Sequence, residues 1–160
     1  MGMQETKTSS LSRMKWMLRL MGCFKIPMIG YLGPRLLRLD DEVVEVKIRL
    51  RRRTKNHLNS MYFGALAVGA DIAAGIHAFY FSEKLGFKVS FAFKAMQAEF
   101  IKRGESDIVF ICKEGALIRK AVEESKVSGE RVNQIVLVEA LDKDQELVAK
   151  FAMTISVKVK

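Results

Sequence analysis

A chain of 160 residues, 49% of them hydrophobic, is long enough for one domain with a full core and too apolar for a disordered segment. Its two cysteines, Cys23 and Cys112, form neither a disulfide framework nor a metal-binding spacing, so a reduced, cytoplasmic compartment is expected. No secretory signal is read at the N-terminus, because Arg19 and Lys25 interrupt the apolar run and no small-residue cleavage site follows.

The formal net charge is +9, and its distribution matters more than its sum. Between Glu5 and Asp40 stand Lys7, Arg13, Lys15, Arg19, Lys25, Arg35 and Arg38, with no acidic residue among them. A second cluster is Arg49, Arg51, Arg52, Arg53 and Lys55. Such charge is either a solvated face or an attractor of phosphates, nucleic acid or anionic membrane. Nucleic acid is not expected, since the segment is read as lacking the aromatic interleaving of single-strand binders. Contact with a membrane surface through the N-terminal segment stays open.

In chain order, residues 1–10 read as a loose polar start. Ser9 or Ser10 caps a helix over about 11–22, with Leu11, Met14, Met17, Leu18 and Met21 on one stripe. Gly33-Pro34 marks a turn, and Pro34 opens a short helix through Leu39. Val44, Val46, Ile48 and Leu50 alternate with charged residues, the pattern of a strand with one wet face. A polar loop over 52–60 follows, then an apolar run over 61–81 that is too long for a strand.

The second half reads mainly as strands. Phe87, Val89, Phe91 and Phe93 alternate with polar or small residues, and the strand continues through 96–102 after a bulge at Ala95-Met96. Residues 107–113 form the next strand, 114–125 a surface helix ended by Gly129, and 132–141 with 146–158 a closing hairpin across Asp142-Lys143-Asp144. A helix apolar on all sides must be covered on all sides, and a curved antiparallel sheet wrapped around it does so. The expected fold is therefore α+β of the hotdog type: a helical extension over 1–40 and a hotdog domain over 41–160. A membrane span over 61–81 is disfavoured by Asp71 at its centre, by three glycines and by the amphipathic strands on either side.

Asp71 is the only formal charge between Met61 and Phe81. An unpaired carboxylate in an apolar run is costly, so Asp71 reads either as a catalytic group or as a hydrogen-bonded lock. The stretch Asn56–Gly75 resembles the signature of hotdog-fold acyl-CoA thioesterases of the phenylacetate-pathway type. That signature has an Asn, six residues later a His-Gly-Gly, then an Ala/Leu-rich helix with an acid. Asn56, Gly64 and Asp71 match it, whereas Tyr62 stands at its His and Phe63 at its first Gly. The form Asn-His-x-x-Ser-Met-Tyr-x-Gly-Ala is also similar to a poorly characterised hotdog branch.

The resemblance implies hydrolysis of acyl-CoA or another acyl thioester. Asp71 would activate water or attack the carbonyl, with Asn56 orienting that water or the carboxylate. The N–H of Phe63 would hold the oxyanion at the helix N-terminus, and Tyr62 would donate in place of His. Gly64, Ser60, His57, Arg51 and Arg53 are the candidate substrate-binding residues. No metal or cofactor is implied beyond the CoA of the substrate. Sites in such folds lie between two chains, so a homodimer or a dimer of dimers is expected, with acyl-CoA or an acyl-carrier thioester as partner. The departures at Tyr62 and Phe63 suit an alternative, a non-catalytic module that binds an acyl or CoA ligand. His77 reads as a core or interface histidine.

Overall fold

The structure is a computed structural model; it describes the backbone of residues 2–160 and the side chains from Ser10 onward. Eleven segments follow in order: α1 (Gly2–Leu20), a π-helical turn (Met21–Lys25), α2 (Pro27–Leu32), β1 (Arg35–Leu39), β2 (Val44–Ile48), α3 (Phe63–Leu85), β3 (Val89–Phe100), β4 (Ile108–Cys112), α4 (Gly115–Ser128), β5 (Val132–Leu141) and β6 (Leu147–Val159). The six strands form one antiparallel sheet in the order β1-β2-β4-β5-β6-β3. α3 packs on the concave side of the sheet, which is the hotdog arrangement.

The core follows strand alternation. Val44, Val46 and Ile48 of β2 face Ile108, Phe110 and Cys112 of β4 in register, and all six are fully buried. Phe151, Met153, Ile155 and Val157 of β6 continue the same floor. α3 lays Leu66, Ala70, Ala73, Ala74 and Phe81 on it. Its small residues let a helix sit close to a sheet, and Gly69 is the closest point of approach: a Cβ there would overlap the ring of Phe110. α3 is long and apolar enough to cross a membrane, but 67% of its most apolar window lies buried inside the protein, so its apolarity belongs to this core.

Three local expectations need correction. α1 is already helical from Gly2, so Ser9 and Ser10 lie within it rather than at its cap; Met1 lies outside the described residues. Once a helix is nucleated each added residue gains a hydrogen bond, and a polar stretch is enough to extend it. The segment after Pro34 is a strand, not a helix. Leu36 and Leu39 are both buried three residues apart, a helix-like spacing, because the register shifts between Leu36 and Arg38 and the extra residue, Leu37, is turned outward. The preceding Gly33 closes α2 in the left-handed region (φ 61°). The bulge in β3 falls between Phe93 and Ala95, at Lys94, one residue before its expected place.

α3 also runs on to Leu85, past the last apolar residue of the run, and ends on Gly86 with φ 73°. His77 is a core histidine: it is fully buried, stacks on Phe81 with ring centroids 5.6 Å apart, and its Nε2 lies 2.8 Å from the Asp40 carbonyl oxygen.

Candidate functional site

The loop between β2 and α3 is held by its own side chains. Thr54 is buried, and its hydroxyl donates to the Arg49 carbonyl at 2.8 Å. Asn56 turns its carboxamide oxygen inward, accepting from the N–H of Leu58 (2.9 Å), the N–H of Ser60 (3.2 Å) and the Ser60 hydroxyl (3.1 Å). This Asx-type turn leaves His57 at the exposed tip and buries Ser60. The N–H of Met61 then donates to the Gly104 carbonyl and that of Tyr62 to the Thr54 carbonyl, both at 2.8 Å. The chain thus enters α3 at a set angle, with Tyr62 as extended N-cap (ψ 137°).

At the start of α3 the N–H groups of Phe63 and Gly64 have no acceptor among the described residues. They are the free donors that any helix N-terminus presents. Above them stands an aromatic cluster. The rings of Tyr62 and Phe63 lie 4.7 Å apart, and Phe63 meets Phe100 of β3 edge-on at 6.4 Å. Tyr62 and Phe63 are about half exposed. A Cβ on Gly64 would overlap the Tyr62 ring where it lies, so the glycine lets this half-exposed ring rest against the start of α3.

Asp71 lies eight residues farther on, about 12 Å along the helix axis at 1.5 Å per residue. It belongs to the one face of α3 that the sheet does not seal: Gly64, Ala67, Val68, Asp71 and Phe79 recur at helical spacing and are all half-buried. Its carboxylate opens into a cleft of about 260 Å³. Met17, Leu18, Met21 and Ile29 line one wall of this cleft, and Phe91 and Phe93 of β3 line the other. Desolvation in this apolar setting raises the Asp71 pKa above 3.8, and no other group among the described residues shifts it. A half-buried carboxylate without a partner is a stronger base than one in water.

The arginines lie on the far side of the loop. β2 ends at Ile48, and residues 51–54 form a turn in which the Thr54 N–H donates to the Arg51 carbonyl at 2.9 Å. Strand alternation would have separated Arg52 from Arg51 and Arg53. Instead all three line one open cleft of about 520 Å³ with Tyr31, and the Arg53 guanidinium sits 5.7 Å above the Tyr31 ring.

Among the sequence candidates, then, Asn56, Ser60, Tyr62, Phe63 and Gly64 meet around the α3 N-terminus. Asp71 stands apart in its own cleft, and Arg51 and Arg53 in another. Two contributors were not singled out beforehand. Phe100 was not read as part of the site, for its strand position carries no signal of a partner on α3. The cleft wall from α1 was visible only as an inward apolar stripe. Of the cysteines, Cys23 is exposed, and Cys112 is buried with its thiol pKa pushed up to about 11. Among the described residues no cluster of three or more His, Cys, Asp or Glu side chains is arranged to hold a metal ion.

Residues 14–157 match the model of a family described as a domain of unknown function, DUF4442. No curated protein sequence matches the chain. Among solved structures, the chain is similar to a Shewanella oneidensis protein provisionally named a thioesterase: the TM-score is 0.78 at 13% identity, over 92% of this chain and 99% of that one. A Pseudomonas aeruginosa protein of unknown function, described as a probable thioesterase, superposes with a TM-score of 0.72 at 19% identity, over 91% and 95% of the two chains. A variant of another P. aeruginosa thioesterase gives 0.65 at 12% identity, over 91% and 94%. At these identities the likeness is one of fold.

Proposed function

We propose that this chain, which belongs to the DUF4442 family and has its hotdog fold, is a hydrolase of acyl thioesters, acyl-CoA first among them. The observation that carries this reading is Asp71: a carboxylate without a partner among the described residues, on the unsealed face of α3, opening into an apolar cleft. Desolvation makes it a base able to take a proton from water, or a nucleophile toward the carbonyl carbon. The N–H of Phe63 at the α3 N-terminus offers a donor for the oxygen on which negative charge develops. Backbone donation does not depend on the side chain, so a phenylalanine at this position is compatible with the role.

The separation of about 12 Å along α3 means that Asp71 and Phe63 of one helix cannot serve one carbonyl. A site shared between two chains resolves this, with the acid from one and the helix N-terminus from the other. The outer edge of β3 is free to pair, and Met96 and Phe100 stand exposed beside it, which supports a homodimer formed there. Arg51 and Arg53 would meet the phosphates of CoA.

The aromatic cluster of Tyr62, Phe63 and Phe100 favours a second reading, a non-catalytic module that binds an acyl or CoA ligand, since these rings crowd the approach to the helix N-terminus. One experiment separates the two: release of free CoA from a panel of acyl-CoA chain lengths, with Asp71→Asn as control. Turnover that is lost in the variant supports the hydrolase. Binding without turnover in either protein selects the module.

A further inference from the structure

We infer that the N-terminal helical hairpin, from α1 through α2, is a dock for the surface of an anionic membrane. Its helices have two apolar faces. The inner one is ordinary packing: Met14, Leu18, Ile29 and Leu32 are buried. The outer one is largely open to solvent among the described residues. Trp16, Leu20 and Phe24 recur every four residues on the exposed side of α1 and its π-helical continuation. Met28 and Tyr31 extend the patch onto α2, Ile26 joins it to the rim of the Asp71 cleft, and Phe24 is 81% exposed and Trp16 61%. Isolated apolar residues on a surface need no explanation, but six on one hairpin form a patch that marks an interaction site.

Charge decides what the patch fits. Lys15 and Arg19 flank the Trp16–Leu20 stripe one position over on the same exposed side, Lys25 follows Phe24, and Arg35 lies beyond α2. No carboxylate occurs between Glu5 and Asp40. The arginine cleft adjoins through the Arg53–Tyr31 contact. Aromatic and aliphatic side chains ringed by lysine and arginine are the makeup of a helix that lies in a headgroup layer, with its apolar face in the acyl boundary. Trp16, Phe24 and Tyr31 do stand among the basic residues, contrary to the sequence expectation. Their neighbours Leu20, Ile26 and Met28 are aliphatic, however, which suits acyl chains and offers nothing for bases to stack on.

The hairpin is stiff enough to carry such a face. Gly22 and Gly30 bring the π turn and α2 together backbone to backbone, so that a Cβ on Gly22 would stand 2.8 Å from the Gly30 Cα. Arg13 ties α1 to α3 through Glu83 at 2.7 Å. The inner side of the same hairpin, at Met17, Leu18, Met21 and Ile29, is a wall of the Asp71 cleft. Resting on the hydrolase reading above, this juxtaposition names a substrate class: thioesters whose acyl chains are long enough to partition into a bilayer. The docking itself needs no catalysis.

Trp16 is the only tryptophan of the chain, so its emission reports on this face alone. The full-length protein is titrated with vesicles of phosphatidylcholine, or of equimolar phosphatidylglycerol and phosphatidylcholine, in low salt, and binding is checked by co-sedimentation. A blue shift and pelleting with the anionic vesicles only are expected. Lys15→Gln with Arg19→Gln should weaken partitioning about tenfold or more, and Phe24→Asp, at a solvent-exposed position, should abolish the shift while far-UV circular dichroism is unchanged. Asp71→Asn should bind vesicles like the parent, so a failure of docking and a failure of the thioester chemistry are seen separately. The proposal is overturned if neither vesicle shifts Trp16 nor pellets the protein. It is equally overturned if Trp16 is already shielded from acrylamide in the free protein, the mark of a face buried between copies. A shift produced by an acyl carrier protein or an oligonucleotide, and not by vesicles, would assign the patch to that partner instead.

Discussion

Phe110 on β4 presses its ring against α3 at Gly69, so closely that a Cβ on that glycine would overlap the ring carbons. Phe110 is fully buried and cannot move aside. Gly69→Ala is therefore expected to destabilise the fold by about 1–3 kcal/mol, the usual cost of overpacking. At Gly75 the added Cβ would lie 3.2 Å from Phe91, which is only half-buried and can yield. There the gain in helix propensity of about 1 kcal/mol offsets the crowding, and Gly75→Ala should be near neutral. Urea unfolding of the two variants checks the contrast.

Asp71→Asn is expected to lower thioester turnover by about 10²-fold or more, the scale of a lost general base. The same variant has a stability signature. Burial raises the Asp71 pKa, so the stability linked to its proton is full below 3.8 and is lost as pH rises through the raised value. At pH 7 the parent carries the cost of a desolvated charge and the amide does not. The variant should be the more stable protein at pH 7, with the gap closing as pH falls toward 3.8. Equal urea midpoints at pH 7 would mean that a partner covers the carboxylate in solution.

His77 works in the opposite direction. Burial pulls its pKa below 6.5, although the nearby Asp40 carbonyl opposes this. With Nε2–H donating to that carbonyl, the neutral ring leaves Nδ1 without a partner. The unfolded chain takes up a proton near pH 6.5 that the folded chain resists, so stability is present above 6.5 and is lost as pH falls below it. His77→Gln should flatten the urea midpoint between pH 7 and 5, whatever its effect at pH 7.

Replacing Arg51 and Arg53 together by Gln is expected to raise KM for acyl-CoA severalfold with little change in kcat, the pattern of lost uniform binding. The effect should shrink at high salt, because exposed charges are screened. Equal affinities of parent and variant for CoA by calorimetry would remove the nucleotide from this cleft. A selective loss with acyl-carrier substrates would point to a carrier protein.

The open edge of β3 is expected to make the protein a stable dimer at micromolar concentration. Met96→Glu with Phe100→Glu, two exposed positions along that strand, should shift sedimentation equilibrium toward monomer by 10²-fold or more in Kd, because charges on a pairing edge oppose association. A parent that sediments as monomer would separate Asp71 from any oxyanion donor and count against the shared site.

Strand alternation made most of the sheet legible without coordinates. In β2 and β6 every second residue is apolar, and a period of two has one structural meaning. The apolar length of α3 and its lone Asp71 were equally plain, because burying a carboxylate is costly enough to stand out in any sequence. β1 was misread, because a bulge at Leu37 places Leu36 and Leu39 on one face with helical spacing, and a bulge depends on the partner strand. Strand alternation would have set Arg52 opposite Arg51 and Arg53, but β2 ends at Ile48, before the Arg51–Thr54 turn, and Thr54 holds that turn through a carbonyl five residues back. Asn56 was legible as a loop or site residue but not as the acceptor of three bonds within its own turn. That the α1 stripe walls the cleft of Asp71, while the opposite face of the same helix is left apolar and basic in solvent, was decided by tertiary packing alone: a helical period tells which residues share a face, and only the neighbouring elements determine what that face meets.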